Sequence, residues 1–136
     1  MGGDRRDASS TPLARKLGVR ERSAVLVIDA PAGFTLGPLP PGVRLVRSAR
    51  GTLDVILLFT TRRAELERRL GPLIARLDRA GRLWVAWPKK ASGRETDLTF
   101  DTVQRLGLGA GLVDNKSASI DATFQGLQFV YRLADR

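Results

Sequence analysis

The chain has 136 residues, 43% hydrophobic and 27% charged, a balance that excludes a disordered chain and leaves room for one domain with a substantial core. It holds neither cysteine nor histidine, which excludes a disulfide framework, a thiolate nucleophile, cysteine-ligated zinc and the commonest general base. With 23 Lys and Arg against 14 Asp and Glu, the net charge of +9 predicts weak, non-specific attraction to nucleic acid and anionic surfaces.

Residues 1–10 are polar and charged and read as a disordered tail, with no apolar segment of the secretory kind. No stretch approaches the roughly 18 apolar residues of a membrane span. A cytoplasmic protein without membrane contact is the expectation. Residues 11–136 read as a single domain.

Thr11-Pro12-Leu13-Ala14-Arg15-Lys16-Leu17-Gly18 predicts a short helix capped by Thr11, with Pro12 in the first turn, Leu13 and Leu17 on one line and Gly18 as the stop. Ser23 to Asp29 is a continuous β-branched apolar run, the pattern of a parallel strand covered on both faces. It leads into the turn-rich loop Ala30-Pro31-Ala32-Gly33-Phe34. The Pro/Gly-rich segment from Thr35 to Gly42 cannot be regular helix, and Val43 to Arg47 predicts a short strand.

Leu53 to Phe59 is the second buried strand. Thr61 is the expected N-cap of a helix from Arg62 to Ala80, whose stripe is Leu66, Leu70, Leu73, Ile74 and Leu77. Gly71-Pro72 should kink or split that helix, and Gly81 should end it. Its other face carries six arginines interspersed with Glu65 and Glu67, which reads as a solvated face rather than a nucleic-acid surface.

The run Gly81-Arg82-Leu83-Trp84-Val85-Ala86-Trp87-Pro88-Lys89-Lys90-Ala91-Ser92-Gly93 concentrates the information. An apolar strand with both tryptophans stops at a proline and a lysine pair. Trp84 and Trp87, three apart, must face opposite sides of the sheet, mainly as core. After it comes a helix from Leu98 to about Leu106, capped by Asp97 or Thr99, burying Phe100, Val103 and Leu106 and closed by Gly107, Gly109 and Gly111. Leu112 to Asp121 is a weaker strand. Gly126 to Leu133 predicts an antiparallel edge or near-edge strand after a short Ala122–Gln125 connection.

This layout is an α/β sandwich with a mostly parallel sheet and an antiparallel C-terminal strand. Ligands in such sheets bind outside the carboxyl ends of the strands. That rim should gather Asp29–Phe34, Thr60–Thr61, Pro88–Asp97 and Asp121–Thr123.

The order helix, strand, helix, strand ending at Trp-Pro-Lys, helix, strand and final antiparallel strand resembles the C-terminal half of class I S-adenosylmethionine methyltransferases. More narrowly, Leu83 to Gly93 with Asp97-Leu98-Thr99, Gly111 to Lys116 and Ile120-Asp121 looks like a bacterial family of short proteins of unknown function carrying Ala-Trp-Pro-Lys-Lys. Thr11-Pro12-Leu13-Ala14 and the Ala30–Phe34 loop match it as well, so the likeness covers roughly residues 11 to 135. It implies a Rossmann-like three-layer sandwich and brings no catalytic residue or cofactor with it. The chain departs from the methyltransferase pattern where the cofactor would lie. The first loop has a proline and one glycine in place of a glycine-rich turn, Ser48-Ala49-Arg50 stands where an acid would hold ribose, and a third strand lacks room.

Candidate ligand residues follow from the rim. Lys89 and Lys90, followed by Ser92, Gly93, Arg94 and Thr96, offer ammonium groups and backbone N–H donors to a phosphate or carboxylate. Asp29 could take a ligand hydroxyl, though capping the next turn is the commoner use of such an aspartate. Pro31, Gly33 and Phe34 complete the first loop, and Trp87 could stack on a planar ligand. Asp54 is expected to reach solvent, and Asn115 with Lys116 reads as a structural pair. No P-loop occurs.

The preferred sequence reading is therefore a non-catalytic binding or regulatory protein, with no cofactor, taking a small anionic ligand or nucleotide at this rim. A divergent S-adenosylmethionine-dependent methyltransferase is the alternative, and a basic nucleic-acid-associated accessory protein the second. Catalytic and metal-ligating residues are not assigned.

Overall fold

The computed structural model describes residues 11–136; the charged stretch 1–10, expected as a tail, lies outside the described residues. Apolar runs become the centre of one six-stranded sheet, in the order β2-β1-β3-β4-β6-β5. The strands are β1 (Ala24–Ile28), β2 (Arg44–Val46), β3 (Leu53–Phe59), β4 (Leu77–Pro88), β5 (Leu112–Ser119) and β6 (Phe124–Tyr131). The first four are mutually parallel, and β6 lies antiparallel between β4 and β5. This is a Rossmann-like α/β fold, mostly parallel with antiparallel strands at its C-terminal side. β3 is fully inside, and six of its seven residues are buried, which is why its sequence is nearly unbroken Leu, Ile, Val and Phe.

Two helices seal one face of the sheet: α2 (Arg63–Ile74) and α3 (Phe100–Gly109), with α1 (Leu13–Lys16) on the other. Leu66, Leu70 and Leu73 of α2 and Val103 of α3 pack with Ile56, Leu58, Leu83, Val85, Trp87 and Phe129. The opposite face joins Val25, Val55, Leu57, Trp84 and Ala86 to Ala14, Leu17 and Leu36, from α1 and coil. Trp84 and Trp87 do fall on opposite faces, and both are buried. Trp84 Nε1 donates to the Leu17 carbonyl at 3.0 Å, tying the end of α1 to the sheet.

Several local expectations are corrected. The helix predicted to reach Ala80 stops at Ile74, and Leu77–Ala80 belongs to β4. Leu53 N donates to Arg76 O at 2.7 Å, so strand pairing captures the chain at once, and Leu77 fits a strand as well as a helical stripe. The register then slips between Leu53 and Val55. At this bulge Gly81 is required, because a Cβ there would come within 2.9 Å of Asp54 O. Gly81 therefore shapes a strand instead of ending a helix. Pro72 sits inside α2 near its end without splitting it.

Gly107 lies within α3, where a Cβ would overlap the Phe129 ring. The stop comes later, at Gly111 with φ +100°. Phe100, expected in the core, is 47% exposed at the first position of α3. Leu106 is half-buried. The β5–β6 turn is residues 120–123, two residues earlier than the patterning suggests, and Asp121 Oδ1 accepts from Thr123 N and Phe124 N to form it. Asp54 stays partly exposed at the start of β3, and its Oδ2 also accepts from Ala24 N at 2.8 Å, fastening the start of β1.

Candidate functional site

Parallel pairing of β1, β3 and β4 brings their carboxyl ends to one rim. Because β6 starts opposite Pro88, the 120–123 turn joins the same rim. All four stretches expected there meet. Two adjoining clefts open between them and share Pro31, Arg94 and Phe124 in their walls.

The first cleft, about 210 Å³, is lined by Asp29, Thr60, Thr61, Arg62 and Glu65 with Phe59 beneath. Asp29 leaves β1 with φ +57° and is half-exposed. The structure gives its carboxylate an ion pair with Arg69 Nη1 at 3.2 Å, where a backbone cap was the commoner expectation. Arg69 Nη2 also reaches Glu65 at 3.6 Å, so one partly buried guanidinium aims two carboxylates toward the cleft. The remaining arginine face of α2 is laced by Arg63–Glu67 and Arg68–Glu65 pairs, as a solvated face should be.

The second cleft, about 350 Å³, is lined by Pro31, Ala32, Gly33, Phe34 and Thr35 from one side. Ile120, Asp121 and Thr123 close the other. Phe34 and Phe124 of this cleft are joined through Phe59 of the first in a row of edge-to-face rings, Phe34–Phe59 at 5.0 Å and Phe59–Phe124 at 5.1 Å.

The loop from Lys89 to Asp97 is fastened at several points. Lys89 N donates to Thr123 O at 2.7 Å, Ser92 Oγ donates to Lys89 O and accepts from Arg94 N, and Thr96 Oγ1 donates to Thr61 O. Asp97 caps a helix, but the other one: its Oδ1 accepts from Arg63 N at the start of α2, while Thr99 caps α3. Thr61, expected as the α2 cap, instead offers its carbonyl to Thr96 and Asp97. This stapling fixes the loop against the β3–α2 turn and holds Arg94 over the clefts.

Of the residues singled out from sequence, Asp29 and Pro31 line the first cleft, and Pro31, Gly33 and Phe34 the second. Trp87 and Lys89 come together elsewhere, in a depression of about 330 Å³ with Phe100, Ser117 and Ser119. There Lys89 Nζ donates to Ser119 Oγ at 2.8 Å. Lys90 is exposed in a short 3-10 turn, and Ser92 and Thr96 are engaged in the loop's own hydrogen bonds. Arg94, expected beside Ser92 and Thr96 in the anion-accepting loop, lines both clefts, whereas Arg62 and Glu65, expected only as part of a solvated helix face, line the first because the start of α2 opens onto the rim. Asn115 accepts from the buried Gln128, and Lys116 Nζ donates to Lys16 O, both structural bonds away from the rim. Among the described residues no group of His, Cys, Asp and Glu is placed to hold a metal, and no helix is long and apolar enough to cross a membrane.

No protein-family model matches the chain, and no curated protein matches it in sequence. Solved structures do match its fold. A TehB-like SAM-dependent methyltransferase from Corynebacterium glutamicum superposes with TM-score 0.59 at 13% identity, over 95% of this chain and 94% of that one. Magnesium protoporphyrin IX methyltransferase (ChlM) from Synechocystis, with bound SAH, gives TM-score 0.59 at 11% identity over 95% and 82% of the two chains. The fold is methyltransferase-like. LepI in complex with SAM gives 0.57 at 13% identity, and this chain spans 48% of its length.

Proposed function

We propose that this chain is a divergent S-adenosylmethionine-dependent methyltransferase domain, spanning residues 11–136, that binds this ligand class in the first cleft. The observation that carries the reading is a cleft of both charge signs at the carboxyl rim of a methyltransferase-like sheet. A sulfonium with an α-amino acid end is positive at two points and negative at one. Asp29 and Glu65, held by Arg69, suit the cationic groups, and Arg62 suits the carboxylate. The ribose end has no matching acid after β2, where Ser48-Ala49-Arg50 stands, so the amino acid end is the part these residues fit. When bound, the sulfonium supplies an electrophilic methyl group; the residues of this chain bind and orient it. Calorimetry tests the reading. S-adenosylmethionine and S-adenosylhomocysteine are expected to bind in the micromolar range, and Asp29→Asn to weaken the sulfonium at least about tenfold relative to the neutral thioether, the loss of one partly screened charge contact. No heat at millimolar ligand would remove the proposal.

A second reading is non-catalytic anion binding or regulation at Lys89 and Lys90, with Ser92 and Thr96 in the supporting loop. It draws on the Trp87–Lys89 depression, where the ammonium meets a hydroxyl and no carboxylate among the described residues, and on the single glycine of the 29–34 loop. Kinship with the short bacterial proteins that carry Ala-Trp-Pro-Lys-Lys would suit it. Thermal stabilisation by phosphate or nucleotide that Lys89→Ala abolishes would favour it; stabilisation unchanged in that variant would rule it out.

A further inference from the structure

We infer that the second cleft is a subsite for a small monoanionic acid with a flat apolar body, of the arylcarboxylate type, received by Arg94. The Arg94 guanidinium lies over the Phe124 ring, 5.4 Å from its centroid. The ring contact engages the cation without using its N–H groups, which make no hydrogen bond or ion pair among the described residues and can donate two parallel bonds to a carboxylate. Among the described residues no carboxylate pairs with it. The backbone carrying it is stapled by Ser92, Thr96 and Asp97, so the cation is presented from a fixed loop.

The walls choose the rest of the ligand. Pro31, Phe34, Ile120 and Phe124 give one apolar side to an open cleft of about 350 Å³, whose other lining includes Thr35 and Thr123. Asp121 lines the same cleft, and Asp29 and Glu65 line the one beside it. Those carboxylates oppose a second negative charge, so a carboxylate is favoured over a phosphate dianion. This inference uses the second cleft and Arg94, and does not depend on what the first cleft binds.

The probe is benzoate, titrated by calorimetry and by amide chemical shifts, beside cyclohexanecarboxylate, benzamide and phenyl phosphate. Benzoate is expected to bind near about 1 mM, in keeping with the small size of the ligand, and to shift the amides of Ala32, Gly33, Phe34 and Thr123. Cyclohexanecarboxylate should bind more weakly, benzamide and phenyl phosphate weaker still. Arg94→Lys, which keeps the charge and loses the fork, should weaken benzoate at least about tenfold, and Arg94→Ala should abolish the shifts. Binding that survives Arg94→Ala, phenyl phosphate binding tighter than benzoate, or no shifts at 20-fold the expected constant would each overturn the inference. S-adenosylmethionine titrated into the same sample separates the two claims: heat with it and none with benzoate ends this inference alone, and the reverse ends the first-cleft reading alone.

Discussion

The two faces of the sheet are closed by different means. On one, α2 and α3 lay periodic apolar stripes on Ile56, Leu58, Val85 and Trp87. On the other, a four-residue helix and the coil around Phe34 and Leu36 cover Val25, Leu57, Trp84 and Ala86. Helices seal a sheet continuously; coil must be pinned point by point. Here the pins are Trp84 Nε1 on Leu17 O and the Phe34–Phe59–Phe124 row. The loop from Pro31 to Thr35 that takes part in this cover also lines the second cleft, so the face with the fewest regular elements borders the candidate site.

The largest test of this contrast is a pair of substitutions. Trp84→Ala and Trp87→Ala each remove a buried indole and should cost about 4 kcal/mol in urea unfolding. Their native-state hydrogen exchange should differ: Trp84→Ala should release Val19 and the end of α1 while α2 keeps its protection, and Trp87→Ala should loosen α3 first. Identical exchange patterns would mean that the two covers are not separate. Next in size, Gly107→Val drives a side chain into Phe129 under α3 and should cost about 2–3 kcal/mol by the same measurement.

A smaller effect is expected at the staple between loop and helix. Asp97→Ala removes the cap of α2 and should cost about 1 kcal/mol, with faster exchange at Arg63 and Ala64. Asp97→Asn should retain most of that stability, because an amide oxygen still accepts. At the bottom of the scale, Arg68→Ala breaks only an exposed pair with Glu65 and should shift stability by less than about 0.5 kcal/mol.

What the sequence made legible follows the same division. β3 was readable to its end residues, Leu53 and Phe59, because a fully buried strand leaves little choice of residue. The meeting of the 29–34, 60–61, 88–97 and 121–123 stretches was readable too, since parallel pairing of β1, β3 and β4 places the first three and an antiparallel final strand starting beside Pro88 places the fourth. The end of α2 was not, because Leu77 satisfies both a helical stripe and a strand face, and only pairing with Leu53 decides. Nor was the cap that Asp97 gives to a helix 34 residues earlier, a contact without local signature. For the site, Asp29, Pro31, Gly33 and Phe34 could be named from the loop alone. Arg94 could be named as a member of the Lys89–Thr96 loop, but its place over Phe124, away from Lys89, could not.

The most direct test of the account is to map S-adenosylhomocysteine on the isotopically labelled protein by amide chemical shifts. The account predicts a saturable perturbation centred on Asp29, Thr60, Thr61 and Glu65, with Ser117 and Ser119 unmoved. Perturbation centred on Lys89, Ser117 and Ser119, or none at millimolar ligand, would contradict it.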